Sequence, residues 1–249
     1  MSAAPEGTLA GRGSPGRGPA PSSPPSDPPP CPTPESAGRA KVPPDWALER
    51  ELWGRGLVAV AGVDEAGRGA LAGPVVAAVV LLTGEREYPY RDSKTLTRPV
   101  RAELAARIRS EALAYAVGYA SAEEVDVHNV LGATKVAARR ALACVIDRLD
   151  GLVTDYLTLD AGLPEVAVAR ADARSFQVAA ASILAKHERD MALVELERSY
   201  PGYGFDSHAG YGVPRHLAAL TALGPCPQHR LSFAPVAAVS LSWQSGQGS

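Results

Sequence analysis

One segment limits the folds open to this chain more than any other, because an apolar strand ends there in two adjacent acids. Residues 57–63 have the apolar pattern of a core strand, and Asp64 and Glu65 follow directly. The turn Gly67-Arg68-Gly69 comes next, before a second apolar run over residues 74–82. Carboxylates at the mouth of a buried strand are costly unless a positive charge neutralises them, and glycines let the backbone approach a ligand closely. This arrangement predicts a divalent-cation site beside a phosphate or sugar site.

The composition of the chain changes sharply near residue 45. Residues 1–45 contain 13 of the 22 prolines and no aromatic residue, so they cannot bury enough apolar area to offset the entropy of ordering. We therefore predict a disordered Pro/Gly/Ser-rich arm over residues 1–45, one folded domain over residues 46–243, and a frayed tail over residues 244–249. About 200 residues are enough for a single domain with a full core.

Charge and cysteine content narrow the class of protein. The formal net charge is −2, so a protein that coats DNA through bulk positive potential is not indicated. The three cysteines are far apart in the sequence, which fits a reducing cytoplasm better than a disulfide framework. We see no secretory signal and no apolar run long enough to span a membrane. We expect a cytoplasmic protein without membrane contact.

Strand and helix patterns alternate along the folded part and predict a mixed α/β layer architecture. Strands are predicted at 57–63, 75–82, 114–120, 155–159 and 165–169. Helices are predicted at 98–113, 129–149, 175–199 and 214–223, with a capping box at Ser121 and Glu124 starting a further short helix.

Four acids occupy predicted element ends: Asp64 and Glu65 after the first strand, Asp160 at the end of the strand over 155–159, and Asp172 before the helix at 175. Ligands of one site often gather from neighbouring strand ends. Clustered carboxylates repel one another unless cations lie among them. Oxygen ligands without His or Cys favour Mg²⁺ or Mn²⁺, and a pair of such ions ~3.5–4 Å apart is a known arrangement for phosphodiester hydrolysis.

Two other kinds of site are weaker alternatives. His208, His216, Cys226 and His229 have a spacing loosely suited to zinc, but no second cysteine-rich knuckle accompanies them. Hydrolysis by a Ser-His-Asp triad finds no Gly-X-Ser-X-Gly nucleophile turn in this sequence.

Several motifs in succession resemble those of bacterial ribonuclease HII, in order and spacing, over about residues 50–237. The first is V-A-G-V-D-E-A-G-R-G-A-L-A-G-P at 60–74. The others are D-S-K-T-L at 92–96, N-V-L-G-A-T at 129–134, L-D at 159–160, Asp172 with Ser175, A-A-A-S-I-L-A-K at 179–186, Y-G-F at 203–205 and H-A-G-Y at 208–211.

The resemblance implies a ribonuclease H-like fold: a mixed sheet flanked by helices, with a helical C-terminal extension. It implies an endonuclease that cleaves RNA in RNA–DNA hybrids and 5′ to ribonucleotides embedded in duplex DNA, leaving 3′-hydroxyl and 5′-phosphate ends. It assigns Asp64, Glu65, Asp160 and Asp172 as catalytic metal ligands for Mg²⁺ or Mn²⁺. It assigns substrate binding to Gly67, Arg68, Gly69, Ser93, Lys94, Asn129, Ser182, Lys186 and Tyr211. A monomer is expected, and a sliding-clamp partner stays open.

Three positions depart from the family's usual pattern. Ala209 stands where lysine is usual, Ala161 follows Asp160 where glycine is usual, and Arg170 replaces a common lysine. None is a carboxylate, so activity is expected to survive. A non-catalytic hybrid-binding protein would not need all four acids. Ribonuclease HIII, the nearer alternative, tends to carry Gly-Lys-Gly in the turn and a folded N-terminal domain, whereas this chain has Arg68 and a proline-rich arm.

Overall fold

A five-stranded mixed sheet forms the centre of the computed structural model, which describes residues 44–91 and 93–246. The predicted arm lies outside the described residues except for its last two, and so do residues 247–249 of the predicted tail. The strands are β1 (Val60–Ala66), β2 (Val75–Leu81), β3 (Ala114–Ala120), β4 (Gly151–Asp155) and β5 (Glu165–Val168). The helices are α1 (Ala47–Trp53), α2 (Arg98–Glu111), α3 (Ala122–Ala143), α4 (Phe176–Ser199), α5 (Phe205–His208), α6 (Pro214–Leu223) and α7 (Ala234–Gly246).

Strand β1 lies in the middle of the sheet, whose order is β3-β2-β1-β4-β5. It pairs with β2 in antiparallel and with β4 in parallel orientation. In the parallel pair, Val63 is opposite Thr154. The carboxyl ends of β1 and β4 therefore meet at the same edge of the sheet.

Helices cover both faces of the sheet: α3 packs on one side and α4 on the other. Every residue of β2 is buried, which explains its uninterrupted Val/Ala/Leu sequence. Two glycines let the helix backbones approach the sheet closely. A Cβ on Gly62 of β1 would lie 2.2 Å from the Gln177 carbonyl carbon of α4, and one on Gly118 of β3 would lie 2.1 Å from the Ala137 oxygen of α3. Glycine at these positions lets each helix backbone rest directly on a strand.

The predicted mixed α/β architecture is confirmed, but two strand predictions are wrong. The strand predicted at 57–63 is found at Val60–Ala66, so Asp64 and Glu65 lie within it and pair with β2 instead of following its end. The strand predicted at 155–159 is wrong: β4 comprises Gly151–Asp155, and the chain leaves the sheet at Tyr156, which has a φ of 64°. The helices predicted around 121 and at 129–149 join in α3, interrupted at Asn129 with a φ of 57°. Helices α1, α5 and α7 were not predicted individually, since the segment with His208 was predicted as a loop, and α7 extends past residue 243.

Within the described residues, none of the helices combines the length and apolar character needed to cross a membrane.

Candidate active site

The acid pair lies at the carboxyl end of β1, where the strand continues through Ala66. Asp64 is 6% exposed and hydrogen-bonds Ser182 of α4. Glu65, the next residue along the pleat, forms an ion pair with Arg68 at 3.1 Å between Nη1 and Oε1. Successive strand residues point to opposite faces, so the pair brackets the end of the strand from both sides.

Asp155 is a further acid at this edge, and the sequence analysis did not select it. The parallel pairing ends with Val63 opposite Thr154, and Asp64 and Asp155 are the next residues along the two neighbouring strands. The charge of Asp155 raises the pKa of both Asp64 and Glu65, although burial is the larger cause in each case. Asp155 thus lies within electrostatic reach of both acids.

Asp172 is held close to Asp155 by the fold. It is 6% exposed and lies in a short 3₁₀ turn, Ala171–Ala173, that leads into α4. The turn packs against β4 and α4, and the Ala171 N–H donates to Asp155 Oδ1 at 3.1 Å. Asp155 therefore has a structural task as well, since its side chain ties β4 to the turn that carries Asp172.

Asp160 is placed differently from its prediction at a strand end. It lies in the loop after β4 with a φ of 52°, its side chain is 65% exposed, and its Oδ2 pairs with Lys135 Nζ at 3.0 Å. The position at the end of β4 that was predicted for Asp160 is occupied by Asp155. The structure thus brings Asp64, Glu65 and Asp172 to one edge of the sheet, but not Asp160. For the fourth acid of the site, the sequence motif indicates Asp160, whereas the position in the structure indicates Asp155.

The electrostatics of the cluster suit a bound cation. Burial raises the pKa of Asp64 well above its usual range, and the neighbouring Glu65 charge raises it further. Burial also raises the pKa of Glu65, whereas Arg68 lowers it. In the part of the chain that the structure describes, no three His, Cys, Asp or Glu side chains are close enough to ligate one ion as they stand. The oxygen donors fit Mg²⁺ or Mn²⁺, provided that they close in on the ion.

The predicted ribose-binding residues lie together beside the acids. Gly67 has a φ of +96°, which glycine adopts without strain. A Cβ on Gly69 would lie 4.0 Å from Cε1 of Tyr211, a residue that is 37% exposed. We call the Gly67-Arg68-Gly69 turn together with Tyr211 the ribose surface.

Four further predicted substrate residues also border this region. Ser93 Oγ is 2.9 Å from Ser182 Oγ, so a chain of polar contacts runs from Asp64 through Ser182 to Ser93. Burial raises the pKa of Glu65, but the charge of Lys94 lowers it, which places Lys94 near the acids. Lys186 Nζ lies 5.7 Å from the Tyr211 ring centroid and pairs with Asp190 at 2.6 Å.

Asn129 has a structural role of its own. Its side-chain Oδ1 accepts hydrogen bonds from the N–H groups of Leu131 and Gly132 at 3.0 and 3.1 Å, capping the second part of α3. A contribution of Asn129 to substrate binding stays a prediction.

Three of the four residues of the zinc alternative form a hydrogen-bonded chain. His216 Nε2 is 3.1 Å from His229 Nε2, and His229 Nδ1 accepts from the Cys226 N–H at 3.0 Å. His208 Nε2 instead lies 2.9 Å from the Tyr203 carbonyl oxygen. Both ring nitrogens of His229 are thus occupied by protein groups, which disfavours a zinc site.

Comparisons with known proteins give a consistent result. The family model described as ribonuclease HII matches residues 61–236. Ribonuclease HII of a Thermus thermophilus strain is 54% identical over 194 residues, covering 78% of this chain and 95% of that protein.

Two solved structures share the fold. The ribonuclease H2 of Pyrococcus horikoshii OT3 superposes with a TM-score of 0.64 at 25% identity, covering 75% of this chain and 99% of that one. The PCNA:RNase HII complex from Archaeoglobus fulgidus gives 0.60 at 29% identity, covering 71% and 95%. The ribonuclease H-like fold implied by the motifs is confirmed.

Proposed function

Because the chain belongs to the ribonuclease HII family, and is therefore an endonuclease of RNA–DNA hybrids, we propose that it also cleaves 5′ to single ribonucleotides in duplex DNA by two-metal-ion hydrolysis. The proposed ligands are Asp64, Glu65, Asp160 and Asp172. Bound between these carboxylates, Mg²⁺ or Mn²⁺ would supply charge neutralisation and activation of water.

One observation carries this proposal: the acid pair and the ribose surface are adjacent. The turn Gly67-Arg68-Gly69 begins one residue after β1 ends, and Gly69 approaches the Tyr211 ring. A sugar seated on the ribose surface would place a neighbouring phosphodiester over the acids at the end of β1. The 2′-hydroxyl is the group that distinguishes a ribonucleotide from a deoxyribonucleotide at this position, and backbone groups of the glycine turn are suited to bind it.

Asp160 is preferred over Asp155 as the remaining ligand because it occupies the family's Leu-Asp motif position. Asp155 already accepts the Ala171 N–H, whereas Asp160 is held by an exposed ion pair with Lys135, which contributes little to stability. The acids must close in on a cation in any case. Movement of the loop that carries Asp160 would be part of that closure. Asp155 is the alternative ligand, because it lies at the end of β4 next to the other acids.

The chain's own residues prepare the site for this reaction. Ser182 fixes the Asp64 carboxylate by a hydrogen bond. Arg68 neutralises Glu65 in this state and would be released when a cation takes over that role. Lys94 and Lys186 supply positive charge on the substrate side. A sliding-clamp partner, as in the Archaeoglobus fulgidus complex, stays a prediction for this chain.

The deciding experiment compares Asp160→Asn with Asp155→Asn on a duplex that contains one ribonucleotide. The parent protein should nick it in Mg²⁺ or Mn²⁺ and be inert in chelator. Asp160→Asn removes a charge that would hold the cations, so we expect turnover to fall on the order of 10²-fold or more. Asp155→Asn makes the same chemical change but keeps an oxygen for the Ala171 N–H, and should retain most of the turnover.

The opposite ranking of the two variants would make Asp155 the ligand, as its position at the end of β4 suggests. Nicking that persists in chelator would refute the metal mechanism. Circular dichroism of both variants checks that neither loss reflects unfolding.

A further inference from the structure

Two arginines are buried beneath the ribose surface. Arg189 of α4 and Arg230, in the loop before α7, are both 0% exposed. Among residues 44–91 and 93–246, neither guanidinium forms an ion pair with a carboxylate. Buried charges are normally paired because their desolvation is expensive. The charges of Asp190 and Asp126 act on Arg189 and Arg230, respectively, without forming an ion pair. Two buried cations without a direct carboxylate partner therefore call for an explanation beyond packing.

The hydrogen bonds of Arg189 join two separate loops. Its Nε donates to the Pro74 carbonyl at 3.0 Å and its Nη2 to the Ala72 carbonyl at 3.2 Å, both in the segment that follows the glycine turn. Its Nη1 donates to the Ala209 carbonyl at 2.8 Å, two residues before Tyr211. One rigid guanidinium thus fixes the distance between the two loops that form the ribose surface.

Arg230 holds the glycine turn from a second direction. Its Nη1 donates to the carbonyl of Arg68 at 2.9 Å, and its Nε and Nη2 both donate to the carbonyl of Gly73 at 3.2 and 2.9 Å. These carbonyls lie near the start and near the end of the loop over residues 67–74 that follows β1. The loop is therefore clamped at two points by charged donors.

The fit between these arginines and the ribose surface is tight. A Cβ on Gly67 would lie 1.9 Å from Arg189 Nε, so glycine at this position is required by the arginine beneath it. The Arg189 guanidinium carbon lies 5.4 Å from the centroid of the Tyr211 ring, within the range of a cation–π contact. The turn and the ring both rest on Arg189.

We propose that Arg189 and Arg230 are positioning residues that pre-form the ribose surface and so set the preference for a single ribonucleotide. The proposal rests on the proposed function. Arginine is suited to this role because its planar fork directs five N–H donors at fixed angles, whereas lysine is a point charge. The charges beneath the surface also favour a bound phosphodiester, which would supply the missing negative partner.

The preference for single ribonucleotides should depend on the planar hydrogen-bonding geometry of the two guanidinium groups rather than on their positive charge. Arg189→Lys and Arg230→Lys each retain a cation but lose the planar set of hydrogen bonds. On a single embedded ribonucleotide, where the ribose surface must position one sugar alone, we expect kcat/KM to fall on the order of 10²-fold, the usual effect of a small misplacement. On a long RNA–DNA hybrid the loss should be at least several-fold smaller, because neighbouring contacts share the positioning.

The matched control is Leu142→Ala, a buried core change in α3, which should lower Tm without changing the ratio of kcat/KM on the two substrates. The proposal is overturned if the ratio of kcat/KM on the two substrates is the same in both lysine variants as in the parent protein. Unfolding of both variants also overturns it, because the arginines would then serve the fold alone.

The parent protein separates this test from the proposed function. If it cleaves neither substrate in Mg²⁺ or Mn²⁺, the proposed function itself fails. If it cleaves the hybrid alone, the single-ribonucleotide activity and the present inference both fail.

Discussion

Glu49→Gln should reveal a buried titrating group that links α1 to the start of α4. Glu49 is 0% exposed, accepts a hydrogen bond from Ser175 Oγ, and has no hydrogen-bond partner for Oε2 among the described residues. Ser175 is the N-cap of α4 and accepts from the Val178 N–H at 3.0 Å. Burial, with a small addition from Asp45, raises the pKa of Glu49 from 4.5 to about 7.

The raised pKa of Glu49 determines how the stability of the protein changes with pH. The folded state binds the Glu49 proton more tightly than the unfolded chain does, so the associated stability is complete below pH 4.5 and is lost as pH rises toward about 7. A shift from 4.5 to about 7 corresponds to about 3 kcal/mol, at 1.36 kcal/mol for each pH unit. Glutamine does not titrate, so the variant avoids this loss.

Urea unfolding across this pH range measures the effect. The free energy of unfolding of Glu49→Gln, relative to that of the parent, should rise by about 3 kcal/mol from pH 4.5 to just above pH 7. Glu51→Gln changes an exposed glutamate of the same helix and controls for the altered charge of α1. A difference between Glu49→Gln and the parent that does not change with pH would refute the buried, protonated glutamate.

Three further predictions concern acid sensitivity, the ribose surface and the arm. Burial, with repulsion from His216, lowers the pKa of His229 to about 4, so its contribution to stability is present above pH 6.5 and is lost on acidification. His229→Gln should therefore flatten the plot of urea-derived unfolding free energy against pH over this range. Tyr211→Ala should lose stacking of about 1–3 kcal/mol in kcat/KM, mostly on single ribonucleotides, whereas equal losses for Tyr211→Phe would implicate the hydroxyl instead. Deleting residues 1–42 should leave Tm and nicking rate unchanged, and a fall in either would show that the arm contacts the domain or the substrate.

The sequence predicts those parts of the fold that local patterns determine. Strands β2 and β3 and helix α4 carry unbroken apolar or helix-forming runs, and their bounds agree with prediction within one or two residues. The glycine turn was also predicted, because positive φ and close approach leave a clear local signature.

The error at β4 arose because its bounds depend on partners distant in the sequence. Residues 155–159 include tyrosine, threonine and two leucines, a composition that looks like a strand on its own. The actual bounds come from parallel pairing with β1 and β5, which no local pattern encodes. An apolar run followed by an acid occurs twice in this segment, ending once at Asp155 and once at Asp160, so the local pattern alone does not choose between the two.

The buried arginines of the ribose surface could not be predicted from sequence. Arg189 and Arg230 are 41 residues apart, and their acceptors are backbone carbonyls, which every residue has. Helix α7 was missed for a related reason: its Val236 is buried against Leu71 and Leu220, so tertiary packing supports a segment of weak helix pattern.

Helix α4 holds the acid pair and the ribose surface at a fixed separation. Ser182 contacts Asp64, and Arg189, seven residues later in the same helix, supports the loops of the ribose surface. At 1.5 Å per residue, these two residues are about 10 Å apart along the helix axis. Under the proposed function, the rise of α4 therefore sets the distance between the scissile phosphodiester and the bound ribose. Inserting a single residue between Ser182 and Arg189 would rotate one end of the helix by about 100° relative to the other and break that correspondence.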